Sequence, residues 1–349
     1  MDLRRIPAIS AAALLLAAAS GPARACDDAA AALPEAAPAL LALPGIFGSA
    51  EPASGGAATR TERIVEVKPG SALELSNFSG DIVVRAGGGN RVRVVASHST
   101  REHIDVRADG SKVVVECDTD RMVPASVHYE ITVPDWMDLE LSGFNSDITV
   151  EGVAGEVKAE TVQGDIDLVR VRGRATLSTV QGEVRVEKSH GRVEASAING
   201  AVQIVGADGA IVAESVNGNI VLRDVLSDSV DASTVNGPVR FAGKIRAHGL
   251  YRLASHNGSI RMAVPEDADA RVFVSTYRGG FESSFPVNAQ EKKKGREYVI
   301  QLGSGAALVN LESFQGRVLL YRPGEPPPKD SDTEREQRED ADEGSEDDE

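Results

Sequence analysis

The chain is poor in the residues that most often announce a chemistry. Its 349 residues include two cysteines, Cys26 and Cys117, which are too few for a disulfide scaffold. Aromatic residues make up 4% of the chain, with one tryptophan, and the regular middle is nearly free of them. That scarcity disfavours a groove of aromatic platforms for sugars along the middle of the chain. Six histidines (His98, His103, His128, His190, His248, His256) are scattered without the spacing of a zinc site, and the bland reading is surface or edge positions. Excess basic charge is also missing. There are 37 Lys and Arg against 53 Asp and Glu, a formal net charge of −16, which counts against nucleic acid as a partner. Beyond the first 25 residues no apolar run is long enough to be a transmembrane helix.

What is abundant is glycine, and it is periodic. From Gly155 to Gly218 one falls every nine residues: Gly155, Gly164, Gly173, Gly182, Gly191, Gly200, Gly209 and Gly218. Alternate glycines end a triplet of apolar residue, amide and glycine, as in Val162-Gln163-Gly164, Val180-Gln181-Gly182, Ile198-Asn199-Gly200, Val216-Asn217-Gly218 and Val235-Asn236-Gly237. The repeat is therefore about 18 residues with two unlike halves, a stacked architecture. After Gly218 the spacing loosens through Gly237, Gly258 and Gly279, and a degenerate copy, Phe314-Gln315-Gly316, closes the run.

Within each half the apolar residues alternate, the period of a strand. Two places after the glycine stand Ile166, Val184, Val202, Ile220, Val239 and Ile260; four places after it stand Leu168, Val186, Ile204, Leu222, Phe241 and Met262. Two short strands and two corners per 18 residues predict an all-β, single-stranded parallel β-solenoid, its coils about 4.8 Å apart. Parallel crossovers favour a right-handed winding. The corners are expected at Gly164, Gly182, Gly200, Gly218, Gly237 and Gly258, where glycine would supply a positive φ without a Cβ clash. The amides Gln163, Gln181, Asn199, Asn217, Asn236, Asn257 and Gln315 should stack along the rod. A hydroxyl column beside them (Thr161, Thr179, Ser215, Thr234, Ser255, Thr276) is interrupted by Ala197.

Composition divides the chain. Residues 1–25 read as a cleaved signal peptide: Arg4 and Arg5, an apolar stretch from Ile6 to Ser20, then Ala23-Arg24-Ala25 as the cleavage site. Export to the periplasm or cell surface follows. Cys26 raises a lipid anchor, but Ala23 and Arg24 fit a lipoprotein signal poorly; peripheral membrane contact is expected only if Cys26 is lipidated. A Cys26–Cys117 disulfide is open in an oxidising compartment. Residues 26–61 form an Ala/Pro-rich linker, 62–141 a non-repeating N-terminal β cap continuous with the rod, 142–323 the solenoid repeats, and 324–349 an acidic tail. From Gly324 on, thirteen acidic and three basic residues leave a net −10, too polar to bury a core, so the tail should be disordered.

No reactive constellation emerges. Asp147, Asp165 and Glu183 share the place after the corner and would stack, but they read as solvated corner residues and not as an acid–base pair. The corners lack the tandem Gly-Gly-x-Gly-x-Asp of calcium-binding rolls. Gly87-Gly88-Gly89, with no Lys-Ser/Thr after it, reads as a turn and not a phosphate loop. The aromatics of the C-terminal third (Tyr251, Phe273, Tyr277, Phe281, Phe285, Tyr298, Phe314) suggest a packed cap, or else a docking patch. The basic run Lys292-Lys293-Lys294-Gly295-Arg296 reads as an exposed turn. No catalytic, cofactor or metal residues are assigned.

The opening strand with Asn77-Phe78-Ser79-Gly80-Asp81-Ile82, the segment Ile131-Thr132-Val133-Pro134, and the serial Val-Gln-Gly and Val-Asn-Gly corners resemble the bacterial putative-adhesin family of exported β-strand-repeat proteins of unknown function. The resemblance covers most of residues 62–321 and implies an adhesive role, with no catalytic residues. The expected function is a non-catalytic structural or interaction module of the cell envelope, its partner an unidentified envelope protein or cell-surface component. A polysaccharide-active β-helix enzyme and a self-assembling envelope scaffold are the alternatives, and the oligomeric state is left open.

Overall fold

In the computed structural model, residues 59–119, 126–291 and 296–324 are described, all within one compact unit, Ala53–Glu349. They form strands throughout. The first seven are β1 (Thr59–Glu66), β2 (Ala72–Ser79), β3 (Ile82–Gly87), β4 (Arg91–His98), β5 (Glu102–Asp109), β6 (Lys112–Thr119) and β7 (His128–Pro134). A regular series follows: β8 (Asp138–Asn145), β9 (Ile148–Glu151), β10 (Val157–Gln163), β11 (Ile166–Val169), β12 (Ala175–Gln181), β13 (Val184–Glu187), β14 (Val193–Asn199), β15 (Val202–Val205), β16 (Ile211–Asn217), β17 (Ile220–Val225), β18 (Ser229–Asn236), β19 (Val239–Gly243), β20 (Leu250–Ser255) and β21 (Ile260–Ala263). The last six are β22 (Ala270–Thr276), β23 (Phe281–Ser283), β24 (Asn288–Glu291), β25 (Arg296–Leu302), β26 (Ala307–Ser313) and β27 (Val318–Tyr321).

Two long sheets result, the solenoid predicted from the 18-residue period. A 13-stranded sheet holds the short strands β9, β11, β13 and so on, and a 14-stranded sheet holds the longer β8, β10, β12 and their successors. Each coil contributes one strand to each sheet, and pairing between coils is parallel and in register, with Ile166 beside Val184, Val184 beside Val202 and Val202 beside Ile220, until a shift between Arg223 and Val225 where β17 meets β19. The inward residues, Ile166, Leu168, Val184, Val186, Val202, Ile204, Ile220 and Leu222, have no exposed surface. Burial of these aliphatic ladders contributes about 1.5–3 kcal/mol per side chain and holds the coils together.

The cap is built from the same coil. β2 and β3 pair in parallel with β8 and β9, so the rod begins before residue 142, and the first strand already starts at Thr59, inside the expected linker. Beyond this coil lie β6 and β7, and antiparallel β5 and the β4–β1 pair finish the end. These strands blunt the edges that a bare parallel coil would present.

At the other end chain order and spatial order part. β26 lies between β20 and β22, and β27 between β21 and β23. The Phe314-Gln315-Gly316 coil therefore does not close the rod, as its place in the sequence suggested. It is threaded beneath the coil of β22 and β23, which precedes it in the chain. The antiparallel pair β25 and β24 covers the outer edge of β22.

Candidate functional site

Each triplet turns the chain from the long-strand sheet into the short-strand sheet, and the six expected glycines stand at these turns. The reason for glycine differs from the one expected. Gly164 and Gly182 have positive φ (138° and 149°), but Gly200, Gly218, Gly237 and Gly258 do not. What they share is close approach. A Cβ on Gly200 would fall inside the carbonyl oxygen of Gly182, one on Gly218 inside that of Gly200, and one on Gly258 inside that of Gly237. The hydroxyl column caps these same carbonyls. Thr179 Oγ1 donates to Gly164 O (3.0 Å), Ser215 Oγ to Gly200 O (3.1 Å), Thr234 Oγ1 to Gly218 O (3.0 Å) and Ser255 Oγ to Gly237 O (2.9 Å). Asn77 fills this place in the first coil and donates through Nδ2 to the carbonyls of Ser79, Gly80 and Val127.

The left-handed residues of the regular coils stand largely at a second corner, after the short strands: Gly152 (φ 79°), Arg170 (54°), Lys188 (53°), Gly206 (68°) and Asp224 (52°). These recur at 18-residue spacing, but three of the five are not glycine, so no glycine pattern announces them.

The amide column forms as expected over much of its length. Gln163 Nε2 donates to Gln181 Oε1 (3.1 Å), Asn217 to Asn199 (2.8 Å), Asn236 to Asn217 (2.8 Å) and Asn257 to Asn236 (2.8 Å). Beside it runs a second column, of outward-facing apolar residues. The apolar residue of each triplet is in the outward phase of its strand: in β10, Val157, Ala159 and Thr161 point in, so Lys158, Glu160 and Val162 point out. In-register pairing aligns these residues from coil to coil as Phe78, Phe144, Val162, Val180, Ile198, Val216, Val235, His256, Phe314 and Tyr277. Most are substantially exposed, including Phe144 (47%), Ile198 (45%) and Tyr277 (47%). Phe78 and Phe144 stack at 5.1 Å; His256, Phe314 and Tyr277 stack at 4.6 and 4.7 Å. The result is an apolar ridge along the rod, aliphatic in the middle and aromatic at both ends. Single exposed apolar residues are ordinary; a contiguous row of them is not.

The C-terminal aromatics divide between the two roles considered for them. Tyr251 and Phe285 are buried and Phe281 packs on Tyr298 (4.6 Å), while Phe273, Tyr277 and the nearby Leu250 and Leu308 are exposed. On the outer face of the long-strand sheet, Leu250, Leu308, Phe273 and Arg252 line an open depression of about 630 Å³. A smaller one of about 380 Å³ lies under Phe78 and Phe144 at the other end. Cys117 lines it, its thiol pKa pushed up by burial and by the nearby Glu102 and Asp118. Cys26 and the lysines of the basic run lie outside the described residues.

The acidic column is occupied by structural bonds. Asp147 Oδ1 accepts the Asp165 N–H and Asp165 Oδ1 accepts the Glu183 N–H, each at 2.8 Å. Arg185 bridges Asp165 (3.1 Å), Asp167 (3.3 Å) and Glu183 (2.5 Å). Burial works against its charge, and the hydrogen bonds it donates to Glu183 and Asp167 outweigh that, leaving its pKa above the ordinary arginine value. Carboxylates tied to backbone and arginine in this way are poor candidates for acid–base work.

One constellation was not anticipated. Ser126 Oγ lies 3.3 Å from His128 Nε2, whose Nδ1 lies 3.1 Å from Asp81 Oδ2, beside a pocket of about 240 Å³. The order is that of a nucleophilic triad, but the environment is not. The backbone N–H of Asp81 also points at Nδ1 (3.3 Å), which favours the tautomer with its proton on Nε2. A base needs the reverse. The His128 and Asp81 side chains are 53% and 56% exposed, so water screens their coupling.

The profile of the Toastrack DUF4097 family matches residues 71–318. Similar solved structures include a putative cell adhesion protein from Clostridium sporogenes (11% identity, 76% of this chain and 100% of that one, TM-score 0.21). Another is a putative adhesin from Parabacteroides distasonis (11%, 75% and 97%, TM-score 0.42). A third is a putative adhesin from Bacteroides fragilis (12%, 74% and 96%, TM-score 0.34). No curated protein matches the chain.

Proposed function

The chain belongs to the Toastrack DUF4097 family, and we propose that it is a non-catalytic interaction module of the bacterial cell envelope whose ridge is the contact face. The observation that carries this reading is the ridge itself: outward apolar residues from Phe78 to Tyr277 held in one line by parallel pairing. A rigid rod presents such a row with little ordering entropy left to lose on binding. The leader-like residues 1–25 support export, and the partner is then a protein or another surface component of the envelope. The antiparallel strands at both ends weigh against end-to-end assembly.

The test is affinity capture from an envelope extract with the mature protein and with an Ile198→Ser/Val216→Ser/Val235→Ser variant. These side chains face water, so the melting temperature should move by no more than a few degrees while the retained partner is lost. Equal capture by both proteins would refute the ridge as the contact face. A fluorophosphonate probe should leave Ser126 unlabelled; labelling that disappears in Ser126→Ala would establish a hydrolase instead.

A further inference from the structure

With the ridge as the contact face, a reading on which this inference rests, its pitch and its order restrict the partner. Neighbouring teeth stand one strand apart, about 4.8 Å. The stacked rings at the ends keep that step, at 5.1 Å for Phe78 and Phe144 and at 4.6 and 4.7 Å for His256, Phe314 and Tyr277. An α-helix repeats a face about every 5.4 Å and slips by about a whole tooth over the length of the ridge. An extended strand repeats a face about every 6.8 Å and is out of step after about two teeth. Another rod with the same coil stays in step throughout. The ridge also reads alike from both ends, with rings outermost and the aliphatic run from Val162 to Val235 between them.

We propose that the partner of the ridge is a second copy of this chain, packed antiparallel about a two-fold axis between Ile198 and Val216. Such an axis crosses the rods at right angles and sets each column against its own kind. The amide column then meets amides, which both donate and accept. On the other flank, two residues back along each strand, runs a column of mostly serine broken by Glu160, Glu214 and Glu312. The antiparallel order places these opposite Ala254, Ser196 and Ser142, so no carboxylate meets another. Phe78 and Phe144 of one copy come onto Tyr277 and Phe314 of the other, and exposed Arg278 comes level with exposed Asp81. A parallel copy would cross the columns and lose these matches. The three columns cover about 43 Å by 15 Å, or roughly 650 Å² per copy, against about 600–1,000 Å² a side in stable complexes.

Sedimentation of the full chain under reducing conditions should give a dimer with a dissociation constant of about 1–10 μM. Ile198→Glu/Val216→Glu crowds carboxylates at the axis and should weaken the dimer about a hundredfold. Ile198→Ser/Val216→Ser is the milder variant and should weaken it about tenfold with an unchanged melt. Nitroxide labels then fix the direction, in a chain with Cys26→Ser and Cys117→Ser. A single label at Asn217→Cys, near the axis, should give a distance between copies below about 20 Å; one at Asn145→Cys, seven coils from its mate, should give about 30–40 Å. Short distances at both sites, or a dimer that survives the glutamates, would overturn the proposal. So would a monomer at all concentrations. If that monomer still needs the ridge for capture from the envelope extract, the contact face stands and its partner is a different molecule; if it does not, both readings fall.

Discussion

The middle of the rod and its C-terminal end use the same coil but are built differently. From β8 to β21 each coil stacks on the one just made, so Gln163, Gln181 and Asn199 are neighbours in space because they lie 18 residues apart in the chain. At the end, Ser313 donates to the carbonyl of Gly258, 55 residues away, across a gap that the β22–β25 segment loops around. The middle can form by local addition, with each coil supplying the template for the next. The end must wait for β26 and β27 to enter between two coils already in the chain. A periodic sequence specifies the first arrangement and is silent on the second.

Middle and end should respond most differently to the same substitution at matched corners. Gly200→Val puts a Cβ and two methyl groups into the Gly182 carbonyl and should cost about 3–5 kcal/mol, read as a large fall in melting temperature. Unchanged melting would mean the close approach is misjudged. Gly316→Val makes the same clash with the Gly258 carbonyl, but in the threaded coil. Its effect should be local: hydrogen exchange should accelerate through β22 to β27, with protection kept from β10 to β17. Uniform loss of protection would show that the end is not a separate unit.

Two smaller changes sharpen the account of the middle. Ala197 stands in the hydroxyl column and is buried, next to Thr179 and Ser215 in register. Ala197→Ser should add the missing bond to the Gly182 carbonyl and raise stability by about 0.5–1.5 kcal/mol, measured by denaturant titration. A loss would mean the column has no room for the oxygen. Lys188 holds a left-handed backbone at φ 53°. Lys188→Gly removes strain of about 1–2 kcal/mol and adds chain entropy of about 0.5–1 kcal/mol, so a net gain of about 0.5 kcal/mol is expected in the same titration. A clear loss there would show that the lysine side chain contributes to the corner.

These elements also show what could be read from the residues alone. The coil, the amide column and the hydroxyl column were legible because parallel in-register stacking copies a side-chain role every 18 residues. Gly200 needs no positive φ: a short Gly-to-Gly distance between coils demands glycine as strictly as a left-handed backbone does, and the residue pattern is the same for both. The left-handed corner at Arg170, Lys188 and Asp224 was hidden because polar residues tolerate that conformation at modest cost. The ridge was visible in principle: Val162, Val180 and Ile198 are apolar residues in the outward phase, a departure from binary alternation. The glycine beside it carries the stricter period and masks that departure. The Ser126–His128–Asp81 cluster could not have been found, since only the pairing of β3 with β7 brings it together.

The most direct test of the ridge is site-specific photo-crosslinking in the envelope fraction. A benzophenone side chain is placed at Val216, on the ridge, or at Gln203, on the opposite sheet. We predict a discrete adduct from position 216, none from 203, and loss of the adduct when Ile198→Ser and Val235→Ser are added. Adducts from 203 alone, or from both positions equally and regardless of the serine substitutions, would contradict the assignment of the ridge as the contact face.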